Sequence, residues 1–424
     1  MDPTGQIPRQ PWMLWPETQS VMAALTARGD EARFVGGCVR DSILKRPVND
    51  IDIATPAPPE TVIALLEAAD IKAIPTGIDH GTITAVIGST HFEVTTLRID
   101  VATDGRRAQV AYTDDWTQDA ARRDFTINAM SCTQDGDIFD PYGGLEDLGL
   151  GRIRFVGDAR QRITEDVLRL LRFFRFQAAY GRPPLDIEAR NACRNLACRL
   201  PELSGERVRG ELFRILTGPN PADTLIVMRE ETVLDYILPE ARNIARLRMT
   251  EWLSTRAVRV EGLEPSPVRR LAALIGKGGT PTDGDPIADR LKFSNKERAH
   301  LRLMLAPPEA ISPDLPVAAR HRMLYRFGNT NVRDLALLAW ADELTLNAHL
   351  PRPRTDAWIA IVEETATWRR PEFPLKGRDL LDLGIPPGPQ MGNFLKNTEA
   401  WWQDADFVPD RSACLEHLRR IAES

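Results

Sequence analysis

Between residues 34 and 55 the chain reads FVGGCVRDSILKRPVNDIDIAT, an apolar run broken by Gly36-Gly37 and closed by an alternating D-I-D-I. A period of two is a strand signature: Ile51 and Ile53 point to a core, and Asp50 and Asp52 share the opposite face. Two carboxylates held a few ångströms apart repel unless a cation sits between them. Oxygen ligands of this kind suit Mg²⁺ carrying the phosphates of a nucleotide. A solvated strand face is the other reading of a D-x-D pair. The context bears on the choice, because Gly36 and Gly37 end one strand and lead into CVRDSILKR, a candidate helix. Its first backbone N–H groups and Arg40 then stand close to the aspartates, where a triphosphate could lie. The segment is not a P-loop, since G-x-x-x-x-G-K-[ST] is absent and both acids follow the glycines at short range.

Up to about residue 150 the pattern is mixed. ARFVGG and DIDIA read as strands, PPETVIALLEAAD as a helix, and GTITAVIG and HFEVTTLR as two strands around a Gly-Ser turn. This predicts an α+β module with a small sheet. Next comes TEDVLRLLRFFRFQAAYG, with Thr164 as the expected N-cap, acidic residues in the first turn and Gly181 as the stop. Val167, Leu170, Leu171, Phe174 and Ala178 recur at helical spacing and predict its buried face. Beyond it the readable segments are helical, separated by Pro/Gly stretches such as LTGPNPAD and LGIPPGPQMG.

Apolar residues make up 43% of the 424 and charged ones 27%, as in globular proteins. No run approaches the roughly 18 apolar residues of a membrane span, so a cytoplasmic location without membrane contact is expected. The five cysteines include no C-x-x-C pair, which argues against a disulfide framework or zinc site and for reduced core thiols. The net charge of −6 does not advertise a nucleic-acid binder. Residues 160–214 differ, with twelve arginines and no lysine against seven acidic residues. Such a stretch is either a phosphate-binding surface or a set of solvated, salt-bridged helices. Asp166, Arg169, Arg172 and Arg175 recur every three residues, and as a ladder of neighbouring ion pairs they would contribute roughly 0.2–0.5 kcal/mol per pair.

In order and spacing, GGCVRD, NDIDIAT, GIDHGTIT, HFEVTTLR, RRDFTINAM, DPYGGLEDL and TEDVLRLLRFFRF resemble the bacterial class II tRNA nucleotidyltransferases and poly(A) polymerases. PTGIDHGTIT and DGRRAQVAYTDDWTQDAARRDFTINAM resemble the CCA-adding branch, and the basic stretch of the polymerases is absent at PTGIDHGT. The resemblance covers roughly the first half of the chain. It implies a polymerase-β-like head at 1–150, a helical neck at 151–215, a helical body at 216–310 and a helical, tRNA-binding tail at 311–424. It implies addition of CCA to the 3′ end of tRNA from CTP and ATP without a nucleic-acid template. Asp50 and Asp52 match the residues that hold two Mg²⁺ ions, and Glu93 matches the third catalytic carboxylate.

The same resemblance gives roles to other positions. Gly36, Gly37, Arg40 and Arg123 match contacts to the triphosphate and nucleotide, and Asp124 and Asn128 shape the adjoining loop. Asp166 and Arg169 match an amino-acid template that reads the base edge, with Arg172 and Arg175 reaching triphosphate or sugar oxygens. The polar stretch around DGRR matches a loop that helps the switch from C to A addition. The six histidines include no H-x-x-x-H, so the His-Asp phosphohydrolase domain of some relatives is not expected. A poly(A) polymerase, a CC- or A-adding enzyme and a non-catalytic RNA-binding protein are the alternatives, and the oligomeric state is left open.

Overall fold

A computed structural model describes residues 2–104 and 107–423; the side chains of 100–109 lie outside the description, as does the DGRR turn at Gly105 and Arg106. The chain divides into two compact units, Met1–Pro239 and Glu240–Ser424. The first contains the strands β1 (Gly5–Gln6), β2 (Arg33–Val35), β3 (Ile51–Thr55), β4 (Lys72–Gly77), β5 (Thr82–Ile87), β6 (Thr90–Thr96), β7 (Arg98–Asp104), β8 (Arg107–Tyr112), β9 (Ser131–Cys132) and β10 (Asp137–Phe139). Eight of them form one sheet in the order β1-β10-β9-β2-β3-β6-β5-β4, and β7 and β8 form a separate hairpin.

The join that matters is β3 with β6. It is parallel, whereas the neighbouring β2–β3 and β5–β6 joins are antiparallel. A parallel pair needs a long crossover, which the helix Pro59–Ala68 and the β4–β5 hairpin supply. Register pairs Ile51 with Phe92, Asp52 with Glu93 and Ile53 with Val94. The four apolar members are at most 3% exposed, so burial of their face fixes the register and turns Asp52 and Glu93 together onto the other face.

The expected helix beginning at residue 164 is two helices. Ala159–Glu165 ends at Asp166, whose φ of −148° and ψ of 105° are extended, and Leu168–Tyr180 follows. Thr164 is therefore not an N-cap; it lies inside the earlier helix and donates its hydroxyl to Arg160 O. Asp166 takes the capping part, its Oδ1 accepting from the Leu168 N–H at 3.1 Å. A short acceptor placed two residues before that N–H competes well with helix continuation. Val167, Leu170, Leu171 and Phe174 are buried as expected, Ala178 is half-buried, and Phe173 and Phe176 join the core. Helix Gly205–Thr217 packs against Leu168–Tyr180.

The second unit is helical. Trp340 and Trp358 stack at 6.2 Å with planes 6° apart in its core. Arg290 pairs with Glu240, Arg298 with Asp289 and Arg302 with Asp285. All five cysteines are free thiols, four of them buried; Cys198 is exposed, because it falls on the outward side of a short 3-10 segment.

Candidate active site

All thirteen residues singled out in the sequence line one cleft of about 1150 Å³ within the first unit. Its floor is the β3–β6 pair. Asp50 immediately precedes β3, and Asp52 and Glu93 sit opposite one another in register. Burial pushes the Asp52 carboxyl up to about 6; Glu93 and Asp50 push the same way, and Arg123 and Arg40 only partly offset them. Three carboxylates thus crowd one end of the cleft as an all-oxygen donor set. Oxygen donors of this kind suit Mg²⁺, which is held by one or two carboxylates with phosphate and water completing its shell.

The loop after β2 forms one wall. Gly36 has φ of 69° and ψ of −121°, and a Cβ there would stand 3.2 Å from Arg123 Nη1 and 3.8 Å from Asp52 Oδ2. Only glycine takes this conformation without strain while letting the backbone approach the aspartate. Gly37 opens the helix Gly37–Ile43, which carries Arg40. The Arg40 side chain is mostly buried, with Nη1 donating to Asn128 Oδ1 at 2.5 Å and Nη2 to Tyr180 Oη at 2.7 Å and Asp41 Oδ2 at 2.8 Å. Asn128 in turn donates Nδ2 to Asp124 Oδ1 at 3.0 Å, and Asp124 Oδ2 accepts from Arg172 Nε at 2.7 Å. This chain of bonds ties the glycine loop to the helix Leu168–Tyr180. Burial works against the Asp124 charge, but Arg172 and Asn128 outweigh it and hold the carboxyl below its usual range. Arg123 donates Nη2 to Asp119 Oδ2 at 3.2 Å.

The predicted ladder along Asp166, Arg169, Arg172 and Arg175 does not form. Asp166 pairs with Arg207, Arg169 with Glu165, Arg172 with Asp124 and Arg175 with Glu211. Only the Glu165–Arg169 contact joins residues four apart; the other three reach different elements. Each polar side chain on this face therefore has its own partner. Eight arginines and five carboxylates line the cleft, an excess of positive charge suited to a triphosphate.

Residues 32–154 match the profile of the poly A polymerase head domain, and 184–244 that of the probable RNA and SrmB-binding site of polymerase A. The chain is 34% identical to the mitochondrial CCA tRNA nucleotidyltransferase 1 of Mus musculus over 95% of its own length and 89% of that protein's. With the CCA-adding enzyme of Leuconostoc mesenteroides it shares 31% identity, over 94% of each. The chain belongs to the CCA tRNA nucleotidyltransferase family. The Bacillus stearothermophilus CCA-adding enzyme, solved in complex with CTP, superposes with a TM-score of 0.72 and 26% identity, covering 97% of this chain and 99% of that one. The fold is thus that of a nucleotidyltransferase with a polymerase-β-like head and a helical remainder, as the sequence resemblance implied.

In this member of the family the cleft also contains Thr84, His91, Arg122, Phe176, Arg207 and Arg214, which were not singled out in the sequence. Thr84 pairs with Glu93 in the β5–β6 register, and strand alternation from Glu93 would have indicated His91. Arg207 and Arg214 fall in the arginine-rich stretch, but no local pattern separates them from the solvated arginines around them.

Among the described residues no helix is long and apolar enough to cross a membrane.

Proposed function

We propose that the chain adds C, C and A in turn to the 3′ end of tRNA, taking CTP and ATP as substrates and using its own side chains in place of a template strand. One observation carries this reading. The cleft that contains Asp50, Asp52 and Glu93 also contains Asp166, Arg169, Arg172 and Arg175, so the carboxylates for transfer and the polar face for base selection open on one space. Two Mg²⁺ ions bound at Asp50 and Asp52 would supply Lewis-acid chemistry at the reacting phosphate.

The residues themselves account for binding and choice. The tRNA 3′-hydroxyl loses its proton to solvent as its oxygen bonds to the α-phosphorus, the bond from that phosphorus to the bridging oxygen breaks, and pyrophosphate leaves. Arg40 and Arg123, beside Gly36 and Gly37, hold the triphosphate in line for that exchange. Asp166 accepts from the exocyclic amine that cytosine and adenine share, and Arg169 donates to a ring acceptor. Uracil and guanine present a carbonyl at that edge and leave the carboxylate unmatched. The arginines of the cleft and the helical remainder, divided at about 150, 215 and 310, grip the acceptor end through phosphates and shape. A cytoplasmic location belongs to the same proposal.

The test uses the purified protein, Mg²⁺ and single labelled nucleotides on tRNA ending before CCA, after C and after CC, and on an unrelated RNA. Addition of C, C and A that stops there, on tRNA alone, is the expected result. Long A tails on any RNA would make it a poly(A) polymerase, and C-only or A-only addition a partial enzyme.

Arg169→Ala is expected to lower the CTP:UTP ratio of kcat/KM by about 10- to 100-fold, as when a site loses a donor that matches the correct base. An unchanged ratio with a lower Tm would leave Arg169 only its structural bonds to Glu165, Arg162 O and Arg122 O.

A further inference from the structure

We propose that Arg207 is a positioning residue for base selection, fixing the Asp166 carboxylate so that one oxygen edge faces the incoming base. This rests on the reading of Asp166 as the acceptor for the base amine. Asp166 stands at the break between two helices, with extended backbone, and the local chain holds only one of its oxygens, Oδ1, through the Leu168 N–H. Arg207, on the helix Gly205–Thr217, supplies what the local chain does not. Its Nη2 donates to both carboxylate oxygens, at 2.9 Å to Oδ1 and 2.8 Å to Oδ2.

The lone pairs then decide what remains for a ligand. A carboxylate has about four acceptor sites in its plane. A single nitrogen nearly equidistant from both oxygens takes the two inner ones. The Leu168 N–H, at 3.1 Å from Oδ1, takes an outer one. The outer edge of Oδ2 is left to accept, which defines one direction from which an amine can be read.

The same helix also holds the far end of the selecting face. One turn beyond Arg207, the buried Glu211 accepts from Arg175 Nε at 2.6 Å and from Arg214 Nη1 at 3.1 Å. Residues four apart share a helix face, so Arg207 and Glu211 present one face of opposite charges to Asp166 and Arg175. The helix Gly205–Thr217 thereby fixes the spacing of the groups that would meet the base and the phosphates.

The experiment measures kcat and KM for CTP, ATP and UTP with Arg207→Gln, Arg207→Lys, Asp166→Asn and the double variant Arg207→Gln/Asp166→Asn. Arg207→Gln is expected to lower the CTP:UTP ratio of kcat/KM by about tenfold, with the loss falling on KM more than on kcat. Arg207→Lys keeps a donor on the same side and is expected to recover part of the ratio. The double variant is expected to match Asp166→Asn alone, because Arg207 acts through Asp166. If Asp166→Asn lowers the ratio while both Arg207 variants keep the wild-type value, the positioning role is overturned and base reading by Asp166 stands. Additive losses in the double variant would also overturn it, by showing that Arg207 acts independently. An unchanged ratio in Asp166→Asn would remove the base-reading role, and the present inference with it. If Arg207→Gln does not fold, the comparison of Arg207→Lys with the wild type decides the matter through the same ratio.

Discussion

Asp52→Asn is expected to abolish nucleotidyl transfer from CTP and ATP alike, at every position of the added sequence. Asparagine keeps the shape of the side chain and leaves Ile51 and Ile53 packed against Phe92 and Val94, so the floor of the cleft should survive. What is lost is a negative charge at the centre of the three carboxylates. Loss of an outer-shell partner of a metal commonly costs about 10–100-fold, and loss of a carboxylate that would bind Mg²⁺ directly, as proposed for Asp52, should exceed that, on the order of 10³-fold. Single-turnover assays with labelled nucleotide and unchanged circular dichroism would check it. Turnover within tenfold of the wild type would remove Asp52 from the reaction centre. The effect differs in kind from that of Arg169→Ala, which should change which nucleotide is chosen while leaving transfer in place.

The largest expected loss of stability lies in the second unit. Asp334 and Arg269 are at most 1% exposed, with Arg269 Nη1 at 2.5 Å from Asp334 Oδ1 and His300 Nε2 at 3.1 Å from Oδ2. Arg269 also donates Nη2 to Glu264 O at 2.9 Å. Asp334→Ala leaves the guanidinium buried without its counter-charge and is expected to cost about 3–5 kcal/mol, whereas replacing both partners by apolar residues of similar volume should cost far less. Urea unfolding of the full chain measures both, and a loss below about 1 kcal/mol for Asp334→Ala would contradict a buried, dependent pair. Burial works against the Asp334 charge, but the adjacent His300 and Arg269 outweigh it and hold the carboxyl below its usual range. The sign follows from that lowered value. The pair's contribution is fully present above the unfolded carboxyl's range, near pH 4, and is lost as pH falls through the lower native value. The difference in stability between wild type and Asp334→Ala should therefore shrink only in acid.

Much of the catalytic floor is written in local sequence. Alternation in D-I-D-I decides that Asp50 and Asp52 share a face, because a strand turns successive side chains to opposite sides wherever it is placed. The Gly36-Gly37 pair and the apolar spacing from Val167 to Phe174 are legible for the same reason: backbone geometry and periodic burial are properties of short segments. The place of Glu93 is not local. It depends on the parallel register of β3 and β6, which the burial of Ile51, Ile53, Phe92 and Val94 fixes across a crossover of more than thirty residues.

The polar partners are the part that the tertiary structure alone decided. Spacing suggested that Asp166 and the three arginines would pair along one helix, yet three of the four find partners on other elements. Neighbouring pairs on an exposed helix contribute only roughly 0.2–0.5 kcal/mol, so any better-desolvated carboxylate within reach displaces them. Glu211 is such a group, buried and able to accept from Arg175, and so is Asp124 for Arg172. Thr164 lost the capping position to Asp166 in a similar competition, because the helix broke two residues later than its spacing suggested. Sequence determined which residue types stand on which face, since that follows from local periodicity. Packing determined which charges meet, since a long arginine side chain chooses among every carboxylate that the fold brings within its reach.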